Sequence, residues 1–211
     1  MDSNSIKICL EARERGITAL YHFTPLPNLP SILADGLASR QVLDAHGVSY
    51  WYTDDWRADG RADALSLSIQ DINRSMFSAK IRTSRCRWAI LEIAPSVLWT
   101  HSCRFCWANA SSGPVLNYTR YLGGPWGFRR MFEDCTVSAI DSRWSRGTFG
   151  TPDNRPTLND AEVQVFTPID PDLIVDVTVA SECDRVDLEV WMKANDRVRP
   201  VAVYPDIFAA R

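Results

Sequence analysis

Several groups of residues in this chain are of types and spacings that can do chemistry. In AEVQVF (161–166), strand alternation sends Glu162, Gln164 and Phe166 to one side and Val163 with Val165 to the other. A carboxylate there can steady a developing sugar cation or take a proton from a nucleophile; taken alone, it is more often a solvated strand position. Ser66 and Ser68, in SLS, share one face of a strand and present two hydroxyls to a ribose or a carboxylate, or simply decorate a sheet edge. Arg57 and Arg61 lie among the four aspartates of DDWRADGRAD, where local ion pairing competes with the use of a forked guanidinium on a phosphate. His22, in YHFTPLPNLPSILADGL, stands between two aromatics just before a helix start, with Thr24 two residues on. His101, Cys103 and Cys106 in HSCRFC are half of a zinc pattern. No second C-x-x-C or H-x-x-x-H lies at a matching spacing, so a packed, reduced pair is the better reading and no metal is expected.

The elements that must hold these groups follow from pattern. Residues 1–17 read as a polar lead-in closed by Gly16, ahead of a domain over 18–211. ALYHF reads as a strand. Asn28 is placed to cap the helix that follows, with Pro30 in its first turn, Leu29, Ile32 and Leu33 on one face, and Gly36 at its end. Strands are expected at 48–53, 64–69, 88–93, 161–166, 172–180 and in RPVAVY. INRSMFSAK reads as a helix or an irregular turn, SVLWTHSCRFCWANASS as a helical turn with a loop, and FRRMFED as a short helix. In RVDLEVWMKAND, Val186, Val190 and Met192 to Lys193 mark the expected inner face. Short strands mixed with short helices point to an α+β fold.

Composition excludes some classes. With 211 residues, 45% hydrophobic and 23% charged, the chain can bury a core without staples. It has no apolar run long enough to span a bilayer and no secretory segment at the N-terminus, and its six cysteines read as reduced thiols, so a cytoplasmic place is expected. A formal charge of −3 does not mark a nucleic-acid binder, yet positive charge is concentrated locally. Lys80, Arg82, Arg85 and Arg87 fall in KIRTSRCRW, and Trp126, Arg129 and Arg130 fall in the WGFRR loop. Such runs suit a polyanion, and interleaved aromatics such as Trp56, Trp107, Trp126 and Trp144 suit stacked single-stranded bases; a solvated basic face fits equally.

Taken in order, YHFT…NL…IL..GL, RADGRADALSLSI…MF and AEVQVF resemble the DarT family of DNA ADP-ribosyltransferase toxins, over about residue 18 to the C-terminus. LEIAPSVLWTHSCRFCWANASS and GTPDNRPTLNDAEVQVF resemble its guanine-modifying branch more than its thymidine-modifying one. The resemblance implies an ADP-ribosyltransferase-like fold: two small, splayed mixed sheets with short flanking helices and a cleft for NAD. It implies NAD as substrate, no metal, single-stranded DNA as acceptor, and an antitoxin carrying a macrodomain, as in DarT/DarG systems. Glu162 matches the catalytic glutamate. His22, Phe23 and Thr24 match the strand that holds the nicotinamide-side ribose and amide; Asn28, Ser66 and Ser68 match further pocket residues. Arg57 fits the catalytic, NAD-holding arginine, with Arg61 as the other candidate. Arg82, Arg85, Arg87, Trp126, Arg129 and Arg130 are expected to grip DNA. Arg74 and Ser75 depart from the family, which often carries an aromatic–basic pair before MF. Rival readings are an ADP-ribosyltransferase for RNA or protein, a non-catalytic binding module, and a zinc-dependent binder built on HSCRFC.

Overall fold

The computed structural model describes residues 1–52, 59–136 and 143–209. Trp56, Arg57 and the ring of Trp144 lie outside what is described. The helices are α1 (Ser3–Glu14), α2 (Leu29–Asp35), α3 (Arg40–Ala45), α4 (Arg74–Thr83), α5 (Val97–Thr100), α6 (Gly113–Leu116), α7 (Pro125–Arg130), α8 (Arg146–Phe149), α9 (Glu182–Ala194) and α10 (Pro205–Phe208). The strands are β1 (Leu20–Pro25), β2 (Leu65–Ile69), β3 (Trp88–Ile93), β4 (Cys103–Cys106), β5 (Cys135–Thr136), β6 (Arg143–Trp144), β7 (Glu162–Val165), β8 (Ile174–Val179) and β9 (Val201–Val203).

The α+β class is as the sequence implies, but the sheet count differs. One seven-stranded mixed sheet runs β4-β7-β2-β1-β3-β8-β9, with only β8 and β9 parallel; β5 and β6 pair separately. The two expected halves are joined at the centre by a very short ladder. β1 pairs with β3 from Leu20 to Pro25, but with β2 only at Leu20↔Ile69 and Tyr21↔Ser68. Beyond Tyr21 the two strands part, and the His22 ring spans the gap, its Nδ1 3.0 Å from the Ser66 carbonyl. Because a carbonyl only accepts, Nδ1 carries the proton. Gln70 clamps the closed end. It sits at φ 64, and its Oε1 accepts the N–H groups of Thr18 and Ala19, each at 2.8 Å.

Alternation divides the strands between two cores. Leu20, Leu67, Leu91, Phe105, Val163 and Val177 enter the main cluster, covered by Ile8 and Ala12 of α1, Leu33 of α2, Leu98 of α5 and Phe128 of α7. Trp88 and Ile90 face the other way, where Phe77 of α4 packs edge-on to Trp88 and 4.9 Å from Phe23. Each such fully buried side chain contributes roughly 1.5–3 kcal/mol.

β2, β3, β7, β8 and β9 lie where strands are expected, α4 is a full helix, and α2 buries Leu29, Ile32 and Leu33 as its spacing predicts. Gly36 ends α2 at φ 98, where a Cβ would lie 2.5 Å from the Ile169 carbonyl, so the close Leu37↔Ile169 bridge requires glycine. Other expectations fail for identifiable reasons. Residues 48–52 form no strand, CRFC is strand β4 rather than loop, and α7 begins at Pro125, upstream of FRRMFED. The inner face of α9 is Asp184, Leu188 and Met192, four residues apart, while Val186 and Val190 point outward. Asp184 turns that face inward by pairing with Arg87 and accepting the Ser181 hydroxyl at 2.8 Å. Asn28 makes no side-chain cap. Its amide instead exchanges two bonds with the Trp51 backbone, at 2.7 and 2.8 Å.

Candidate active site

Where β1 and β2 separate, their facing edges open into a cleft of about 620 Å³. His22, Thr24 and Asn28 reach it from β1 and the turn into α2, Ser66 and Ser68 from β2, and Glu162 from β7. Phe23 borders it as well, although its ring packs away toward Phe77 and Trp88. Every sequence-selected cofactor residue that is described therefore lines one cavity.

The local folding of each explains its place. On β2, the alternation that buries Leu65, Leu67 and Ile69 leaves Ser66 and Ser68 on the cleft face. On β7, Val163 and Val165 enter the core, so Glu162 and Gln164 face the other way. Glu162 is half-buried and accepts the Ala110 N–H at 2.7 Å. That donor comes from the 107–112 turn, in which Asn109 also binds the Ser111 amide and hydroxyl. Thr24 is buried and accepts the Asn28 amide at 3.1 Å. The same Asn28 amide, through Trp51, fixes the 48–52 segment as one wall of the cleft. Pocket residues that the sequence did not single out include Arg40, Trp51 and Met76. Arg40 and Trp51 lie outside the motifs, while Met76 belongs to the quoted MF but was given no role.

Arg61 does not line this cleft. It opens instead into a smaller pocket of about 180 Å³, shared with Arg104. Asp59 borders both cavities and accepts the Gln164 amide at 2.8 Å.

The six expected DNA-gripping residues do not form one patch. Arg87, at the start of β3, is paired with Asp184, while Arg82 and Arg85 are exposed at the end of α4. Trp126, Arg129 and Arg130 lie on α7, against β4. That is four strand spacings from β3, roughly 19 Å. Arg129 pairs with Glu11 at 2.8 Å and Arg130 with Glu133 at 2.7 Å. Around Trp126 an aromatic group has formed. Tyr118 stacks on it at 5.7 Å, Tyr121 and Trp107 meet it edge-on, and Arg130 lies over Trp107.

Cys103 and Cys106 do not converge. Cys103 lies on the core-facing row of β4 with Val165, whereas Cys106 is opposite Glu162, so strand alternation points them apart. Burial pushes both thiols up to about 12, with the Glu162 charge adding to the effect on Cys106, so both are protonated at neutral pH. Among the described residues no three His, Cys, Asp or Glu side chains are grouped to hold a metal, and no helix is long and apolar enough to cross a membrane.

The sheet parts into a cleft with a strand carboxylate, Glu162, facing the opening, and the fold matches solved structures of DarT proteins. Thermus sp. 2.9 DarT in complex with ADP-ribosylated ssDNA matches with a TM-score of 0.60 at 15% identity, over 92% of this chain and 97% of that one. The same protein in complex with NAD+ matches with a TM-score of 0.55 at 15% identity, over 91% and 98%. Thermosipho africanus DarTG in complex with ADP-ribose matches with a TM-score of 0.55 at 17% identity, over 90% of this chain. The chain spans about half, 51%, of that DarTG chain. No curated protein sequence matches. The family model described as ssDNA thymidine ADP-ribosyltransferase, DarT, matches residues 21–209, and the chain belongs to the DarT family.

Proposed function

We propose that this protein is a toxin that transfers ADP-ribose from NAD to a base in single-stranded DNA. The observation that carries the reading is the convergence of His22, Thr24, Asn28, Ser66, Ser68 and Glu162, from three distant stretches of a DarT-family chain, on one cleft. Thermus DarT has been solved with NAD+, with carba-NAD+ and with ADP-ribosylated ssDNA, which supports the same two substrates here.

In this reading the nicotinamide-side ribose lies between β1 and Glu162. The bond between the ribose anomeric carbon and the nicotinamide nitrogen breaks, nicotinamide leaves with the electron pair, and an oxocarbenium-like sugar develops. The Glu162 carboxylate stabilises that charge through the ribose hydroxyls. A proton-bearing nitrogen of the base then bonds to the anomeric carbon, and its proton passes to Glu162 and on to water. The His22 ring, its Nδ1 fixed on Ser66, and the hydroxyls of Thr24, Ser66 and Ser68 orient the ribose and amide. Arg57 holds the diphosphate.

An unstacked base is needed at the anomeric carbon, so a single strand is the natural acceptor. Trp126, with Tyr118 and Tyr121, offers it a stacking surface beside Arg129 and Arg130, while Arg82 and Arg85 extend the basic margin beyond Lys80. We favour guanine as the acceptor, from the resemblance of residues 91–112 and 150–166 to guanine-modifying members; the family description names thymidine. A macrodomain antitoxin and a cytoplasmic place belong to the same proposal.

The test is incubation with NAD and two single-stranded oligonucleotides, one lacking guanine and one lacking thymine, with each product weighed. Adduct only on the guanine-containing strand supports the full reading. Adduct only on the thymine-containing strand keeps the reaction and corrects the base. NAD consumption without adduct on either strand overturns DNA as acceptor.

A further inference from the structure

Beside the cleft lies the second pocket, of about 180 Å³. Asp59 lines both cavities, and Glu162 stands next to their boundary. It lines the cleft itself, while its cross-strand neighbour Cys106 and its hydrogen-bond donor Ala110 line the smaller pocket. Across the sheet, Ser66, Gln164 and Arg104 form one row on this face, and Glu162 is two residues from Gln164, roughly 7 Å along β7.

Two guanidiniums and one carboxylate line this pocket, and the carboxylate, Asp59, already accepts the Arg61 backbone N–H at 3.1 Å and the Gln164 amide at 2.8 Å. The guanidinium carbons of Arg61 and Arg104 lie 4.8 and 5.3 Å from the centre of the same Phe166 ring. Arg61 has one carboxylate partner, Asp63 at 2.6 Å, yet its Nε is buried without an acceptor. Arg104 shares the pocket with Asp59, and among the described residues its guanidinium has no ion pair within 4 Å. Elsewhere Arg74, Arg87, Arg129, Arg130 and Arg185 are each paired with acids. Two guanidiniums gathered on one ring, with a buried N–H still to satisfy, form a site for an anion that accepts from both forks. The pocket is small, and the residue it shares with the cleft is Asp59, while Glu162 lies one row along β7 from its Gln164 wall.

We infer that Arg61 and Arg104 hold a phosphodiester of the acceptor strand, next to the nucleotide being modified. The inference rests on the reading of Glu162 as the residue beside the anomeric carbon. It gives the two substrates separate anchors: NAD enters from the β1–β2 side, and the acceptor backbone is fixed from the β4 side. Phe166 keeps the two forks in place by stacking under both. Arg61, adjacent in sequence to the NAD-holding loop, thereby serves the acceptor strand and not the diphosphate of NAD.

The experiment compares wild type, Arg104→Gln, Arg61→Gln and Arg104→Lys on a mixed-sequence single-stranded oligonucleotide. It measures KM for the oligonucleotide and for NAD, and oligonucleotide affinity by fluorescence anisotropy without NAD over a salt series. Arg104→Gln and Arg61→Gln are each expected to weaken oligonucleotide KM and affinity about tenfold, to change the NAD KM less than about twofold, and to flatten the log–log salt slope by about 0.7, the value for one lost phosphate contact on a single strand. Arg104→Lys keeps the charge and loses the fork; it is expected to fall between, and it carries the test where a Gln variant does not fold. An oligonucleotide with one neutral methylphosphonate linkage, moved along the strand, should at one position weaken wild type as much as Arg104→Gln does, with no further loss in that variant.

Unchanged oligonucleotide affinity in all three variants overturns the site. An NAD KM that rises in step with the oligonucleotide KM also overturns it, and assigns the arginines to the NAD diphosphate. If wild type forms no DNA adduct, the proposed function fails. The anisotropy and methylphosphonate series then still decide whether these arginines hold a phosphodiester.

Discussion

AEVQVF and WAILEI each set a single glutamate on an interior strand rich in apolar residues, half-buried in the folded chain. Their surroundings differ. Glu162 accepts a backbone N–H from Ala110 and faces the cleft, with Ser66 and Ser68 on the neighbouring strand. Glu92 accepts the hydroxyl of Tyr21, a cleft-lining residue, at 3.0 Å and lies opposite Asp176 on β8 without lining the cleft itself. Burial and then the charge of Glu92 push the Asp176 carboxyl up to about 6, and burial and the Glu92 hydrogen bond also raise Tyr21. The comparison separates a carboxylate placed toward an open cleft from one placed in a like-charged, internally bonded cluster. A glutamate on a buried strand is therefore not informative until its neighbours across the sheet are known.

The largest expected effect breaks that comparison at Glu162. Glu162→Ala should lower transfer by at least a hundredfold, the range for a lost charge-stabilising and proton-accepting group. The backbone hydrogen bond from Ala110 is given up, a loss worth about 1 kcal/mol that lowers the melting temperature by about 2–4 °C. Glu92→Gln, outside the cleft lining, should leave transfer within about twofold of wild type. Product mass and thermal melting on both variants decide the matter: transfer at wild-type rate by Glu162→Ala would end the assignment of Glu162.

Next in size is the wall of the cleft. Asn28→Ala removes three hydrogen bonds, to Thr24 and both ways to Trp51, from a buried position. The expected destabilisation is about 2 kcal/mol, with faster amide exchange at Trp51 and a higher NAD KM as the 48–52 segment loosens. Unchanged exchange at Trp51 would show that the segment is held by other contacts.

This residue also shows what a sequence reveals and what it hides. Asn28 stands at an N-cap position, and its type and place predicted a local cap; its amide instead bonds Thr24 and the backbone of Trp51, 23 residues away. The same limit applies to α9, whose apolar valines suggested the wrong inner face because the pairing of Asp184 with Arg87 spans 97 residues. Strand positions such as Ser66, Ser68 and Glu162 were legible because period-two burial is a local property. That they share one cleft came from the family resemblance, since no spacing in the chain encodes the pairing of β7 with β2. The short β1–β2 ladder, which makes one sheet out of two expected, depends on where two distant strands part and leaves no mark in either.

The smallest effect sharpens the comparison from the Glu92 side. A carboxyl raised to about 6 in the folded chain, against 3.8 ordinarily, binds its proton more tightly when folded. Its stabilising contribution is therefore fully present below about pH 4 and is lost as pH rises through about 6. The gap between the two values corresponds to about 3 kcal/mol, which screening at this partly solvated position reduces to about 1–2 kcal/mol. Asp176→Asn should thus be more stable than wild type at pH 7 by about that amount, and it should lack the loss of stability between pH 4 and 6. Glu92→Gln should show a smaller gain of the same sign, because it removes only the like charge opposite Asp176 and leaves burial in place. Urea melts of the three proteins at pH 4, 5, 6 and 7 test this. Parallel stability curves for wild type and Asp176→Asn would show that Asp176 titrates normally and that Glu92 and Glu162 differ only in what they face.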